Sequence, residues 1–240
     1  MTDITSLDES GEELDFSTLL ASSIHDMKNS LAMLLGSVSE VTHQCMPNNG
    51  CSSHKELIKI QHQGQRVNRY LIQLLILYRL EQQEYCLNVN EQYISDFFAE
   101  IMLENEELLA LNGIKLSSNC DDMLAGYFDL ELVRGVINTI INNAYQYSKD
   151  EIRLVAKQQD GYLMISVQDN GKGYPPKMLT ETGGDDAGQR GVSFYSGSTG
   201  LGLYFSKKVA EIHLQGQRKG YIELSNDGID GGGNFSIYLP

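Results

Sequence analysis

Several stretches of this sequence hold side chains whose types and spacing could do chemistry. "SSIHDMKNSLAML", residues 22–34, sets His25, Asp26 and Asn29 inside an otherwise apolar helical pattern. At 100° per residue His25 and Asn29 share one outward face, four positions apart. A carboxylate beside an imidazole can hold the proton of one ring nitrogen, leaving the other a nucleophile near neutral pH. "QDNGKGY", 168–174, puts Asp169 at a strand end, followed by Gly171 and Gly173. A carboxylate there can accept a hydrogen bond from an exocyclic amine, and the glycines let backbone approach a flat ring. "GSTGLGLYFSKK", 197–208, opens a helix with Gly197, Gly200 and Gly202, whose N–H groups would form an anion site for phosphates. In "INNAYQYS", 141–148, the amide oxygen of Asn143 is available to a divalent cation such as Mg²⁺. His43, Cys45, Cys51 and His54 are zinc-type residues, but their spacing fits no metal signature, and a solvated loop is the better expectation.

Two long helices must carry the first of these groups. Leu20, Ile24, Met27, Leu31, Leu34, Val38 and Val41 follow in steps of four and three, and so do Leu57, Ile60, Gly64, Val67, Leu71, Leu74 and Tyr78. The turn-forming "MPNNGCSS" between them implies an antiparallel hairpin. Leu35, Ile58, Leu75 and Leu77 widen the apolar stripe beyond what one hairpin can cover, which predicts a homodimer with a four-helix bundle. From about residue 86 the pattern changes. Strands are predicted at "LNVNEQYI", "IKLSSNC", "EIRLVAKQQ", "GYLMISVQD", "GYIELSN" and "GNFSIYLP", and helices at "YISDFFAEIMLENEELLAL", "DLELVRGVINTIINNAYQYS" and "GLYFSKKVAEIH". Asp160-Gly161 marks a hairpin turn, and 171–200 a glycine-rich loop. Strands and helices mix without strict alternation, so the fold class is an α+β sandwich behind a helical hairpin. The expected division is a tail at 1–15, a hairpin at 16–86 and a second domain at 87–240.

The chain has 240 residues and a formal net charge of −14. That charge makes nucleic acid and anionic lipid poor partners. The acidic N-terminus lacks the basic region of a signal peptide, and the longest apolar run, "YLIQLLILY", is too short to span a bilayer. A cytoplasmic protein is expected.

Together these motifs, in this order, resemble the sensor histidine kinases of bacterial two-component systems, over about 16–240. "HDMKN" looks like the phospho-acceptor box, "NNAYQYS" like the N box, and "DNGKG" and "STGLGL" like the two glycine boxes of an ATP-binding domain of the gyrase–Hsp90–kinase type. The resemblance implies that His25 is phosphorylated from ATP, that Asp26 assists proton removal, and that Asn29 orients water for the phosphatase direction. It implies that Asn143 binds Mg²⁺, Tyr147 packs near adenine and Asp169 reads the adenine amine. Gly171 and Gly173 would shape the base pocket, and Thr199, Gly200, Leu201 and Gly202 would line the phosphates, with 174–197 as a lid. The phosphoryl group would pass to an aspartate of a response regulator receiver domain. With 24 residues before His25, the stimulus is expected to arrive through an upstream sensory partner, the tail or the hairpin tip. Some positions depart from the family pattern: Ser30 stands where proline is frequent, Thr139 where the N box carries another asparagine, Gln146 where a basic residue is frequent, and Ser198 where the second glycine box begins. The alternative is a dimeric histidine phosphotransferase or scaffold that binds no ATP. A general ATPase of the same superfamily fits the histidine-bearing hairpin least.

Overall fold

The computed structural model describes residues 27–29, 31–41, 54–181 and 201–240. Residues 27–29 and 31–41 are helical (α1), and α2 spans His54–Glu81. The two helices meet where α2 has no side chain: a Cβ on Gly64 would lie 2.5 Å from Leu35 Cδ2. Then follow β1 (Val89–Tyr93), α3 (Ile94–Leu111), β2 (Lys115–Asn119), β3 (Ala125–Asp129) and α4 (Leu130–Tyr147). Next come β4 (Glu151–Gln159), β5 (Tyr162–Asp169), α5 (Pro176–Glu181), α6 (Leu201–Ile212), β6 (Leu214–Gln215), β7 (Arg218–Lys219), β8 (Tyr221–Ser225) and β9 (Asn234–Leu239).

The main sheet runs β2-β4-β5-β9-β8, with β2 parallel to β4 and the other pairs antiparallel. β1 and β3 form a separate antiparallel pair. Alternation in β4 selects the buried face: Ile152, Leu154 and Ala156 point to the core, while Arg153, Val155 and Lys157 do not. α3, α4 and α6 cover that one face, and Phe98, Ile101, Ile137, Ile140, Ile141, Phe205, Val209, Ile165, Phe235 and Ile237 fill the space between. The β4–β5 hairpin turns at Asp160-Gly161, both at positive φ (53° and 79°), as the two-residue turn demands.

Three elements depart from the sequence expectation. β3 is a strand where "AGYFD" lacks a β-branched residue, and pairing with β1 makes it. The β6–β7 hairpin has only two residues a side, too short for a period to show. α5, inside the expected loop, begins with Pro176 at its first position, where the missing N–H costs nothing.

α4 and α6 are tied together at their far ends. Asp129 caps α4, its Oδ1 accepting from Leu132 N–H at 3.2 Å. Its own N–H donates to His213 Nε2 at 3.0 Å, and His213 Nδ1 is 2.7 Å from Val209 O. That pattern assigns the neutral ring with its proton on Nδ1. Burial lowers the His213 pKa below its usual 6.5, partly offset by the bond to Val209 and the Asp129 charge. The unfolded chain therefore takes up this proton first, so the contribution of His213 to stability is complete above about pH 6.5 and lost as the pH falls below it. Urea denaturation between pH 7.5 and 5 should show a steeper loss of stability for the native chain than for His213→Gln. Parallel pH profiles would contradict the assignment.

Candidate functional site

Asp169, the last residue of β5, is 8% exposed. Its N–H donates to Gly233 O at 2.9 Å. Its Oδ1 accepts from Gly171 N–H at 2.7 Å and from Gly233 N–H at 3.2 Å. These bonds orient the carboxylate and leave Oδ2 out of both. Gly171 is glycine for space, because a Cβ there would collide with the Tyr147 carbonyl oxygen and lie 2.8 Å from Asp169 Oδ1. Gly173 is glycine for conformation and space: φ is 73°, and the Asn226 amide lies against it. Asn226 clips the next residue on both sides, accepting from Tyr174 N–H at 2.6 Å and donating to Tyr174 O at 3.0 Å. The Tyr174 ring lies beside Gly233, and burial, then the Asp169 charge, pushes its phenol far above the usual range. It stays neutral at any physiological pH.

α4 supplies the opposite wall. Tyr147 is exposed and Asn143, one turn earlier, is half-buried. The start of α6 closes on the same turn: a Cβ on Gly202 would stand 2.7 Å from Thr139 Cγ2 and 4.0 Å from Asn143 Nδ2. Asn170 Oδ1 accepts from the N–H groups of Lys149, Asp150 and Glu151, at 3.0, 3.2 and 3.2 Å, fixing the chain after α4 to the glycine loop. Asn143, Tyr147, Asp169, Gly171, Gly173, Leu201 and Gly202 are thus gathered at one end of the sandwich. Thr199 and Gly200 lie outside the described residues, and so do His25 and Asp26. Asn29 is exposed on α1. His43, Cys45 and Cys51 lie outside as well, and among the described residues no group of His, Cys, Asp or Glu could hold a metal.

Sequence reasoning missed Tyr174, Asn226 and Gly233. The run Gly231-Gly232-Gly233 was the available signal. In the sequence Gly233 reads only as the start of the last strand, yet Gly232 and Gly233 pack on Asp169.

Comparison with known proteins decides the fold family. Residues 128–240 match the model of the "Histidine kinase-, DNA gyrase B-, and HSP90-like ATPase" domain. That part of the chain is similar to a domain of that ATPase family. The match includes all of α4, the glycine loop, α6 and β9, the elements that form the cleft. Over its wider length the chain is similar to sensor proteins and to solved histidine kinases. "Sensor protein SrrB" of Staphylococcus aureus (strain NCTC 8325 / PS 47) is 22% identical over 233 residues, 92% of this chain and 37% of the relative. The chain therefore spans little more than a third of the length of these curated relatives. Full-length ShkA, solved in complex with AMPPNP, aligns with TM-score 0.62 at 17% identity, over 93% of this chain and 46% of that one. The Acinetobacter baumannii histidine kinase AdeS aligns with TM-score 0.55 at 20% identity, over 90% and 96%. Among the described residues no helix is long and apolar enough to cross a membrane.

Proposed function

We propose that this chain is an ATP-dependent protein-histidine kinase that phosphorylates His25 and passes the phosphoryl group to an aspartate of a response regulator receiver domain. The observation that carries this is Asp169: a buried carboxylate with one oxygen held by two backbone N–H groups and the other in neither bond, beside a glycine wall that any Cβ would fill. That arrangement suits a flat base bearing an exocyclic amine. The ATPase-domain family of residues 128–240 supports adenine nucleotide as the ligand.

In this proposal the chain's residues divide the work. Asp169 reads the amine, Gly171 and Gly173 shape the base pocket and Tyr147 packs on its open side. Thr199, Gly200, Leu201 and Gly202 would border the phosphates, and the Asn143 amide oxygen would hold the Mg²⁺ that accompanies them. Mg²⁺ supplies charge neutralisation on the phosphates. The free imidazole nitrogen of His25 forms the N–P bond as the bond from phosphorus to the β–γ bridging oxygen breaks. ADP leaves, and Asp26 takes the ring proton. Catalysis is then mostly positioning of two groups carried by different domains. Asn29, four positions after His25 in the sequence, orients water in the phosphatase direction.

The hairpin surface supports a homodimer. Met27, Leu34 and Val41 on α1, and Ile60, Val67 and Leu74 on α2, recur every seventh residue and are each at least 42% exposed in the single chain. Pairing two hairpins along these stripes would bury them. An acidic dimer working beside a soluble receiver domain fits a cytoplasmic protein, with an upstream sensory partner providing the stimulus.

Incubation with γ-labelled ATP and Mg²⁺ tests the proposal. The protein should acquire label that is acid-labile and base-stable, and a cognate receiver domain should remove it. Acid-stable label, or nucleotide binding with no label, would contradict it. Asn143→Ala should raise the Mg²⁺ needed for half-maximal labelling by about tenfold, the usual scale for a lost partner in a metal site. An unchanged Mg²⁺ requirement would remove Asn143 from that role.

A further inference from the structure

The kinase chemistry leaves the polar face of α2 unexplained. Gln73 is 3% exposed on a helix whose neighbour Leu74 is open to solvent. Its Nε2 donates to Thr139 Oγ1 at 2.6 Å, and Thr139 Oγ1 donates to Gly135 O at 2.7 Å. The hydroxyl therefore works as both acceptor and donor. The methyl of the same threonine faces elsewhere, toward Gly202 on the first turn of α6, one turn before Asn143. One residue of α4 thus touches the stalk helix with its hydroxyl and the phosphate end of the cleft with its methyl.

The rest of this face is also polar. The His62 ring lies 6.0 Å from that of Tyr145, and Arg69 faces the charge of Glu104. Among the described residues Gln73 Oε1, Arg66 Nε and one Arg69 terminal nitrogen, all on this face, are buried without a hydrogen-bond partner. Each such atom costs about 1–3 kcal/mol. A contact made only for stability would be apolar. This one is held against that penalty.

We infer that Gln73 and Thr139 are positioning residues that set the phosphate end of the nucleotide cleft according to the placement of the stalk helix. Movement of α2 relative to α4 would pull or release the Thr139 hydroxyl and so turn its methyl against Gly202, beside Asn143. The inference rests on the nucleotide-binding reading of the cleft. It adds a direct, single-residue link between the stalk and the Mg²⁺-phosphate end.

A double-mutant cycle in the full chain tests it. Gln73→Met keeps the length and removes the donor, and Thr139→Val keeps the methyl and removes the hydroxyl. Titration with a non-hydrolysable ATP analogue and Mg²⁺ should show each single variant about fivefold weaker, and the double variant no weaker than either, as for two residues acting through one contact. Affinity for adenosine without Mg²⁺, which reports the base pocket alone, should stay within twofold of the native chain. Single variants within twofold of the native chain, effects that multiply in the double variant, or equal loss of adenosine would each overturn the inference. Should Thr139→Val fail to melt cooperatively, Gln73→Met and Gln73→Asn alone decide, with the same expected loss. If the native chain takes up no nucleotide, the reading of the cleft fails, and hydrogen exchange decides the link by itself: faster exchange at 201–205 in Gln73→Met supports it, and unchanged exchange overturns it.

Discussion

Asp169→Asn should weaken binding of an adenine nucleotide by about 10- to 150-fold, the range given by the 1.5–3 kcal/mol of a hydrogen bond to a charged group. The substitution changes little else. Asparagine keeps an oxygen for the N–H groups of Gly171 and Gly233, whose bonds orient the native carboxylate at 2.7 and 3.2 Å. It replaces Oδ2 with an amide NH₂, so a donor now meets the donor on the base. A guanine nucleotide, which offers an oxygen where adenine offers an amine, should lose less or gain. Competition titrations with ATP and GTP check this. An equal loss for both bases would show that Asp169 does not read the exocyclic group.

Gly171→Ala should have the next largest effect. Its Cβ would meet the Tyr147 carbonyl oxygen and Asp169 Oδ1 together. The carbonyl belongs to the last turn of α4 and cannot swing aside as a side chain would, so overpacking of about 1–3 kcal/mol is expected. For a chain of this size that is a fall in melting temperature of about 3–10 °C. Nucleotide affinity should fall with it, because any relief pushes apart the loop and the helix that form the two walls. Gly36→Ala is the control: nothing lies within 4 Å of a Cβ there, and alanine in a helix is neutral or slightly stabilising. A Gly171→Ala protein with native melting and native affinity would show that the two walls do not meet as described.

What could be read from the sequence depended on how local its cause was. α2, α3, α4 and α6 announce themselves by apolar spacing, and the β4–β5 hairpin by Asp160-Gly161, since period and turn chemistry need no distant partner. The two-residue strands β6 and β7 and the strand β3 could not be read this way, because pairing creates them. The candidate site follows the same rule. Asp169, Gly171 and Gly173 lie together in seven residues, and their types suggest their use. Gly233 is 64 positions from Asp169 and arrives only because β9 pairs with β5 in a register that sets Asn234 opposite Gln168. Asn226 reaches Tyr174 across 52 positions for a similar reason. Gln73 was hidden by its setting: a polar residue beside a heptad stripe looks like solvent-facing surface until another helix is laid against it. Thr139, a departure from the family pattern in sequence, acquires a partner in the structure.

The most direct measurement is mass-spectrometric mapping, at neutral pH, of the phosphoryl group left on the full chain after incubation with ATP and Mg²⁺. A single phosphohistidine at residue 25, lost in His25→Ala while that variant still binds the nucleotide, is the predicted result. Modification at another residue, or undiminished labelling of His25→Ala, would contradict it.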